Sequence, residues 1–173
     1  MKKYAALIED FKYFIFTLVV MVLLVMLFRT FFTPEVVIGD SMENSLHEGD
    51  YLLSSKVSYE FHAPKYNDIV SFDADIVAGH DLYIKRVIGL PGDHLQIRGK
   101  TLFRNGKMVK EPYIKETMDS SSIDIVIPKY KVFVMGDNRN HSMDSRDFGP
   151  IDYRKEIRGK VLLRFKPFNQ SWH

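Results

Sequence analysis

The chain has 173 residues, enough for one ordinary domain and a short additional segment. Its 24 Lys and Arg residues nearly balance its 22 Asp and Glu residues, so its charge gives no indication of a nucleic-acid partner. The chain has no cysteine, which excludes disulfide bonds, thiolate metal ligands and a cysteine nucleophile. Its six histidines show no spacing typical of metal ligands, and we expect neither a metal nor a cofactor.

An uncharged apolar stretch lies close to the N-terminus, at residues 13–28. As a helix at 1.5 Å per residue it would span about 24 Å, and two phenylalanines beyond it extend this length toward the ~30 Å of a bilayer core. Lys12 and Arg29 flank the stretch and can reach the two interfaces. We therefore predict a transmembrane anchor helix over residues 13–32.

The anchor is expected to be retained, because no small-x-small cleavage pattern follows it. Three lysines precede the anchor, whereas only Arg29, at its far end, comes before Lys56. By the positive-inside rule, residues 1–12 would form a short cytoplasmic N-terminus. Residues 33–173 would form a domain outside the cytoplasm, tethered to the cell membrane by a single pass.

The rest of the chain is predicted to be mostly β, with barrel-like or Greek-key pairing of short strands. Short apolar and β-branched runs alternate with turn residues, and no segment after the anchor has a sustained 3.6-residue apolar period. Asn105 and Gly106 form a strong signal for a two-residue type I′ hairpin within residues 101–109. The other predicted strands cover residues 35–38, 51–57, 68–72, 82–90, 94–98, 123–127, 131–135 and 160–165.

The strand predicted before Pro91 carries a lysine in apolar surroundings. Alternation places Lys85 between Tyr83 and Val87 on one face and Arg86 on the other. A lysine enclosed by apolar side chains is poorly solvated when charged, so its pKa falls below the usual value of about 10.4. A neutral amine near physiological pH can act as a general base. The alternative is a strand lysine whose amine simply reaches solvent.

Two polar turns accompany this strand. Ser41 lies in the first, about nine residues beyond the anchor, which would hold it near the bilayer surface; a serine in a turn can also simply bond local backbone. The second turn, residues 136–146, crowds Asp, Arg and Ser side chains directly after an apolar strand. Within it, Asp144 and Arg146 are expected to pair and to support a site rather than to react.

Together these motifs resemble those of type I signal peptidases, the membrane-anchored serine–lysine proteases that remove signal peptides from exported proteins. Residues 39–46 resemble the nucleophile motif Gly-x-Ser-Met-x-Pro-Thr-Leu. Residues 85–93 match the lysine motif, and residues 136–146 match Gly-Asp-Asn-Arg with its following Ser-x-Asp-Ser-Arg. Residues 68–72 resemble the remaining short motif. The order of the motifs agrees with that of the family over nearly the whole chain. A short chain with a single anchor is similar to the signal peptidases of Gram-positive bacteria.

The resemblance implies a mechanism. Ser41 would be the nucleophile, neutral Lys85 its general base, and Ser142 the residue that orients the lysine amine. The backbone N–H of Ser41 would supply part of the oxyanion hole. Gly39 stands where some relatives carry a hydroxyl side chain that adds a second donor.

The resemblance also implies the substrate, an exported preprotein with small residues at the −1 and −3 positions of its cleavage site. The substrate would lie extended beside the strand that contains Lys85, in the β-augmentation mode. Because a signal peptide inserts its apolar core into the bilayer, anchoring the enzyme there raises the local concentration of both partners. The residues expected to line the substrate pockets are Val37, Ile38, Met42, Leu46, Tyr83 and Ile84.

Three residues depart from the motifs: Asn44 replaces the usual Pro, Ser45 the usual Thr, and Asn67 the usual Gly before Asp68. Without the fixed φ of proline, the loop that aims the nucleophile is freer. We expect an active enzyme that is slower or narrower in its substrates than the usual form.

Three alternatives remain open from the sequence. The first is a Ser-His-Asp triad that uses His141 or His94 with Asp144, although neither histidine falls at a family catalytic position. The second is a signal-peptidase-like protein that binds clients without cleaving them, for example to assemble surface fibres or pili. The chain keeps both the serine and the lysine, but its altered loop leaves this possibility open. The third is a plain membrane-anchored adhesin, which would leave the motifs unexplained.

Overall fold

The structure is a computed structural model that describes residues 2–73 and 82–166. Its contacts divide the chain into two compact units, Met1–Phe32 and Thr33–His173. The first unit contains helix α1, Lys2–Phe31, which starts well before the predicted anchor because residues 2–31 include neither Gly nor Pro.

Helix α1 has the length and composition of a membrane-crossing segment. The stretch Ile8–Phe31 is the one such helix in the described part of the chain, and it contributes no buried residues. Its large apolar side chains are exposed, as expected of a helix whose surroundings are apolar on all sides.

The remainder of the chain is built from short strands, with two four-residue helices, α2 (Ser58–Phe61) and α3 (Ser145–Phe148). The strands are β1 Phe32–Val36, β2 Tyr51–Ser55, β3 Ile69–Asp73, β4 Leu82–Gly89, β5 His94–Gly99, β6 Thr101–Arg104, β7 Lys107–Met108, β8 Ser121–Val126, β9 Lys131–Met135, β10 Ile151–Asp152 and β11 Ile157–Phe165. They form a seven-stranded sheet in the order β1-β2-β11-β3-β4-β9-β10 and a four-stranded sheet in the order β7-β6-β5-β8.

The predicted class, mostly β with one long N-terminal apolar helix, is confirmed. All pairings among the strands from β2 onward are antiparallel. The described strands do not close into a barrel. The predicted hairpin is present: Asn105 has a φ of 53° and Gly106 a φ of 76°, the positive values that a type I′ turn requires. Strand β1 lies three residues earlier than predicted at its start and two earlier at its end.

Strands β4 and β9 lie side by side in the large sheet and are buried on both faces. Val87 and Val134 pack into one hydrophobic cluster, whereas Ile88 and Phe133 pack into another that extends into the four-stranded sheet. Successive side chains of β4 therefore enter different surroundings, as the predicted alternation requires. This double burial holds the middle of β4 rigidly where Lys85 projects from it.

Candidate active site

Ser41 and Lys85 are 44 residues apart in sequence and hydrogen bonded in space. Lys85 Nζ donates to Ser41 Oγ over 2.7 Å and to the carbonyl oxygen of Ile84 over 3.1 Å. Lys85 lies opposite Val70 in the β3–β4 pairing and is only 3% exposed. Ser41 begins the turn that follows β1 and is half-buried. The two residues predicted to react are therefore in direct contact.

The surroundings of Lys85 weaken its hold on a proton. Burial lowers its pKa to about 8, because removal from water penalises the ammonium form. The carboxylates of Asp144 and Asp137 oppose this shift in pKa but do not cancel it. The ring of Tyr83 lies 5.4 Å from Nζ. A substantial fraction of the amine is thus neutral in mildly alkaline solution and able to accept a proton.

The turn that carries Ser41 is held by residues from three distant parts of the chain. The backbone N–H of Asn138 donates to the carbonyl oxygen of Ser41 over 3.0 Å, and its side-chain amide donates to the preceding carbonyl over 3.2 Å. The hydroxyl of Ser45 accepts a hydrogen bond from Arg86 over 3.0 Å. The carbonyl oxygen of Ser45 accepts from Arg164 over 2.7 Å. These bonds fix the turn on both sides of the serine.

The three departures from the family motifs differ in their surroundings. Asn44 is exposed, whereas Ser45 keeps the hydroxyl that Arg86 uses. Asn67 has a φ of 68°, a conformation that glycine adopts freely and that asparagine tolerates better than other residues. Its carbonyl oxygen accepts from Arg86 over 3.2 Å, so this substitution preserves the backbone contact at the site.

Ser142 lies next to the reacting pair but makes no hydrogen bond there. Its Oγ is buried and has no hydrogen-bond partner within the described residues. A Cβ added to Gly136 would lie 2.3 Å from Ser142 Oγ and 2.5 Å from the carbonyl oxygen of Ser41. Glycine is therefore required at position 136 for these two segments to approach. The predicted role of Ser142 in orienting the amine stays a prediction.

Asp144 and Arg146, the predicted supporting pair, form a bidentate ion pair. Arg146 Nε and Nη2 donate to the two carboxylate oxygens of Asp144 over 2.9 and 2.8 Å. Asp144 also accepts from the backbone N–H of Gly136 over 3.0 Å and caps helix α3 through a capping box with Asp147. The turn that carries Ser142 is thereby tied to the end of β9.

Two further buried ion pairs lie close to the site. Arg86 is bidentate to Asp137, with Nε–Oδ1 and Nη2–Oδ2 distances of 2.8 and 2.6 Å. Arg139 is bidentate to Glu111 over 2.6 and 2.8 Å. Sequence reasoning placed Arg86 on the opposite face of β4 from Lys85 but did not find its partner. Glu111 lies outside the motifs, and nothing in the sequence around it points to Arg139.

An apolar groove of about 410 Å³ opens beside Ser41 and Lys85. Five of the six predicted substrate-binding residues line it: Val37, Ile38, Met42, Tyr83 and Ile84. The sixth, Leu46, is 3% exposed and packs in the hydrophobic cluster beside the groove with Val37 and Met42. Val36, Leu82 and Met143 also line the groove and were missed. Met143 occupies the unspecified position of its motif, so only the fold brings it to attention.

Strand β4 is paired on one side only where it borders this groove. Along the β3 side it is paired from Leu82 to Arg86, but pairing with β9 begins only at Arg86. Within the described residues, the backbone from Leu82 to Lys85 therefore has no strand on its second side. Such an edge can pair with an extended peptide.

The histidines of the alternative triad lie in other surroundings. His94 Nε2 lies 2.5 Å from Asp124 on the four-stranded sheet. The Asp144 carboxylate is bound by Arg146 and by a backbone N–H, and His141 is exposed. Among the described residues, no cluster of three His, Asp or Glu side chains could hold a metal ion.

Comparison with known proteins identifies the family of the chain. A family model described as signal peptidase, peptidase S26, matches residues 11–166. The chain is 40% identical over 165 residues to signal peptidase I of Bacillus licheniformis, covering 88% of this chain and 87% of the relative. It is 34% identical over 183 residues to signal peptidase IB of Staphylococcus aureus (strain COL), covering 95% and 94%.

A solved structure shows the same likeness. The crystal structure of a signal peptidase I from Enterococcus faecalis V583 matches with a TM-score of 0.50 and 29% identity, over 59% of this chain and 98% of that one. The matching family model and relatives place the chain among the peptidases. It belongs to the signal peptidase family, peptidase S26.

Proposed function

We propose that this chain is a membrane-anchored serine endopeptidase that removes N-terminal signal peptides from exported preproteins. The observation that carries the proposal is the 2.7 Å hydrogen bond between Lys85 Nζ and Ser41 Oγ, with the lysine buried and its pKa lowered to about 8. Family membership supports the same substrate class, since the relatives are named as signal peptidases.

The reaction would proceed through an acyl-enzyme. Neutral Lys85 takes the proton of Ser41 Oγ as that oxygen attacks the scissile carbonyl. The resulting ammonium gives the proton to the leaving amine, and the lysine then activates the water that hydrolyses the ester. The backbone N–H of Ser41 stabilises the oxyanion, and the hydroxyl of Ser142 orients the amine between these steps.

The substrate would lie in the groove as an extended strand. The backbone of residues 82–85, which has no strand on its second side among the described residues, can pair with it, and the apolar walls suit small side chains at the −1 and −3 positions. Its signal sequence would remain in the bilayer beside α1. The proposed orientation, with the N-terminus cytoplasmic and residues 33–173 outside, is tested by protease protection: in intact spheroplasts, external protease should degrade the domain.

Cleavage of a preprotein that carries an Ala-x-Ala site, in liposomes or detergent, tests the proposal directly. Wild type should cleave it, whereas Ser41→Ala and Lys85→Ala should each lose cleavage while keeping the fold. Ser142→Ala should lose it in part. Ser122→Ala, an exposed serine on β8, is the matched control and should cleave normally. Near-normal cleavage by Lys85→Ala would contradict the serine–lysine mechanism.

A non-catalytic role in assembling surface fibres or pili is the second candidate. The contact between Ser41 and Lys85 disfavours it, because a protein that only binds clients has no need of a buried amine on a serine hydroxyl. Binding of the preprotein by an intact wild-type chain that cleaves nothing would support this role instead.

A further inference from the structure

Met143 lies in the motif of residues 136–146, at its unspecified position. It lines the groove together with Ser41 and Lys85, and half of its surface is exposed. The residue before it, Ser142, is packed tightly against Gly136. The residue after it, Asp144, is fixed by its ion pair and its cap. The backbone at Met143 is therefore held in place, and its side chain reaches the groove from a rigid base.

The side chain of Met143 contacts that of Tyr83 on β4, which also lines the groove. Met143 Sδ lies 3.9 Å from Tyr83 Oη. The ring of Tyr83 stacks on the fully buried Phe72, with centroids 5.9 Å apart, and Phe72 in turn contacts Phe148 edge-on. Tyr83 is thus supported from behind by the core. A substrate side chain that needs more width must move the methionine instead.

This contact lies close to the reacting atoms. The ring of Tyr83 is 5.4 Å from Lys85 Nζ, which itself is 2.7 Å from Ser41 Oγ. A substrate residue positioned for attack must therefore pass near the Met143–Tyr83 contact. The methionine side chain is apolar, long and flexible, so it limits the size of a neighbouring side chain without offering it a strong polar contact.

We propose that Met143 is a specificity-determining residue that, with Tyr83, limits the size of the substrate side chain lying nearest the Ser41–Lys85 pair. The inference rests on the proposed peptidase function. Small residues leave the contact between methionine and tyrosine intact. Larger side chains must displace Met143, and each methylene or methyl group that fits poorly lowers kcat/KM further.

The test compares substrate preference among variants of the full chain in detergent. A preprotein with an Ala-x-Ala site is changed singly to Val or Leu at positions −3, −1 and +1, and kcat/KM is measured for each version. For Met143→Ala, cleavage of a larger residue relative to alanine should rise about tenfold at one of these positions. Met143→Leu, which restores an apolar side chain of similar volume, should return the preference to that of wild type.

A methionine far from the groove provides the control. Met108 on β7 is 61% exposed and lies in the other sheet, and Met108→Ala should keep the wild-type preference at every position. An unchanged preference in Met143→Ala would overturn the inference while leaving the proposed function intact. An equal loss for all substrates in both Met143 variants would also overturn it, since the residue would then support structure and not selection. A wild-type chain that cleaves none of the substrates would overturn both.

Discussion

The buried amine of Lys85 makes the proposed activity dependent on pH. With a pKa of about 8, the amine is mostly protonated below pH 8 and mostly neutral above it, and only the neutral form can accept the proton of Ser41. We therefore expect kcat/KM to rise about tenfold per pH unit below pH 8 and to level off above it. The pH–rate profile of wild type with a peptide substrate measures this. A profile that levels off near pH 6.5 would indicate a histidine base instead.

Gly136 is the residue whose size the site tolerates least. Because its Cβ would collide with Ser142 and with the carbonyl oxygen of Ser41, Gly136→Ala should displace the nucleophile and reduce kcat about a hundredfold. Steady-state kinetics of the two forms, after circular dichroism has shown that the fold is kept, provides the measurement.

A second glycine provides the control that separates steric crowding at the active site from backbone strain elsewhere. Gly106 has a φ of 76° and open space where its Cβ would lie, so Gly106→Ala adds backbone strain of about 1 kcal/mol without touching the site. It should lower the melting temperature and leave kcat unchanged. Equal kcat values for the two alanine variants would show that Gly136 does not position Ser41.

Among the elements, β1 is fixed by a carboxylate that crosses the sheet. Glu35 is 8% exposed and accepts hydrogen bonds from Ser54 on β2 over 2.7 Å and from Ser71 on β3 over 2.8 Å. Between those strands runs β11, where a Cβ on Gly159 would lie 2.9 Å from the Cβ of Ser54. Glu35 thus holds the strand from which the chain leads into the groove wall at Val36.

Loss of this carboxylate should weaken both the fold and substrate binding. Glu35→Ala leaves the buried Ser54 hydroxyl without its acceptor and the Ser71 hydroxyl with only a 3.5 Å contact to the carbonyl oxygen of Gly159, and we expect a loss of about 3 kcal/mol in the free energy of unfolding. KM should rise more than kcat falls, because the groove wall loosens while the Ser41–Lys85 contact remains. Denaturant unfolding in detergent and steady-state kinetics measure the two effects.

Ser54→Ala is the matched variant for this prediction. It removes one donor and keeps the bond from Ser71, so it should cost about 1 kcal/mol. If Glu35→Ala proved no less stable than Ser54→Ala, the carboxylate would not be what ties β1 to the sheet.

Most of the strands could be predicted because half-buried strands alternate and turns interrupt them. Strand β9 matches its prediction at both ends. Strand β1 does not: residues 35–38 are the more apolar run, yet the strand ends at Val36, and Val37 and Ile38 beyond it line the groove. Helix α3 has four residues, too few for any apolar period, and it depends on its cap at Asp144.

For the whole molecule, helix α1 should matter for some substrates and not for others. Removing residues 1–31 takes away the apolar helix that we propose crosses the membrane, and it leaves the β-rich unit. We expect unchanged cleavage of a short soluble peptide, but about a hundredfold slower cleavage of a preprotein inserted in liposomes, because enzyme and substrate no longer share one surface. Both rates are measured on the same two preparations.

An unrelated anchor separates tethering from sequence-specific effects of α1. Replacing residues 1–31 by a transmembrane helix of another sequence should restore cleavage of the inserted preprotein. An equal loss on both substrates after truncation would show that the helix instead supports the fold of the β-rich unit.

The motifs identified the residues proposed to react, but not those that hold them. Ser41, Lys85 and Ser142 follow from fixed positions in short motifs. Arg164 contacts Ser45 across 119 residues of sequence, and the Glu35 carboxylate reaches Ser71 across 36. From the sequence, Arg164 and Glu35 are most simply interpreted as solvent-exposed charged residues. Their polar atoms can be buried only because the folded sheet brings hydrogen-bond partners near them.

The burial of β4 on both faces has a consequence for how the chain can change length. Deletion of one residue ahead of Lys85 within β4 would move its side chain to the face from which Arg86 reaches Asp137, and would turn Arg86 toward Ser41. The result would be an arginine, which stays charged, in the place of a base. Insertions and deletions that survive selection should therefore fall in the connections between strands, and β4 should keep its length even where its composition drifts.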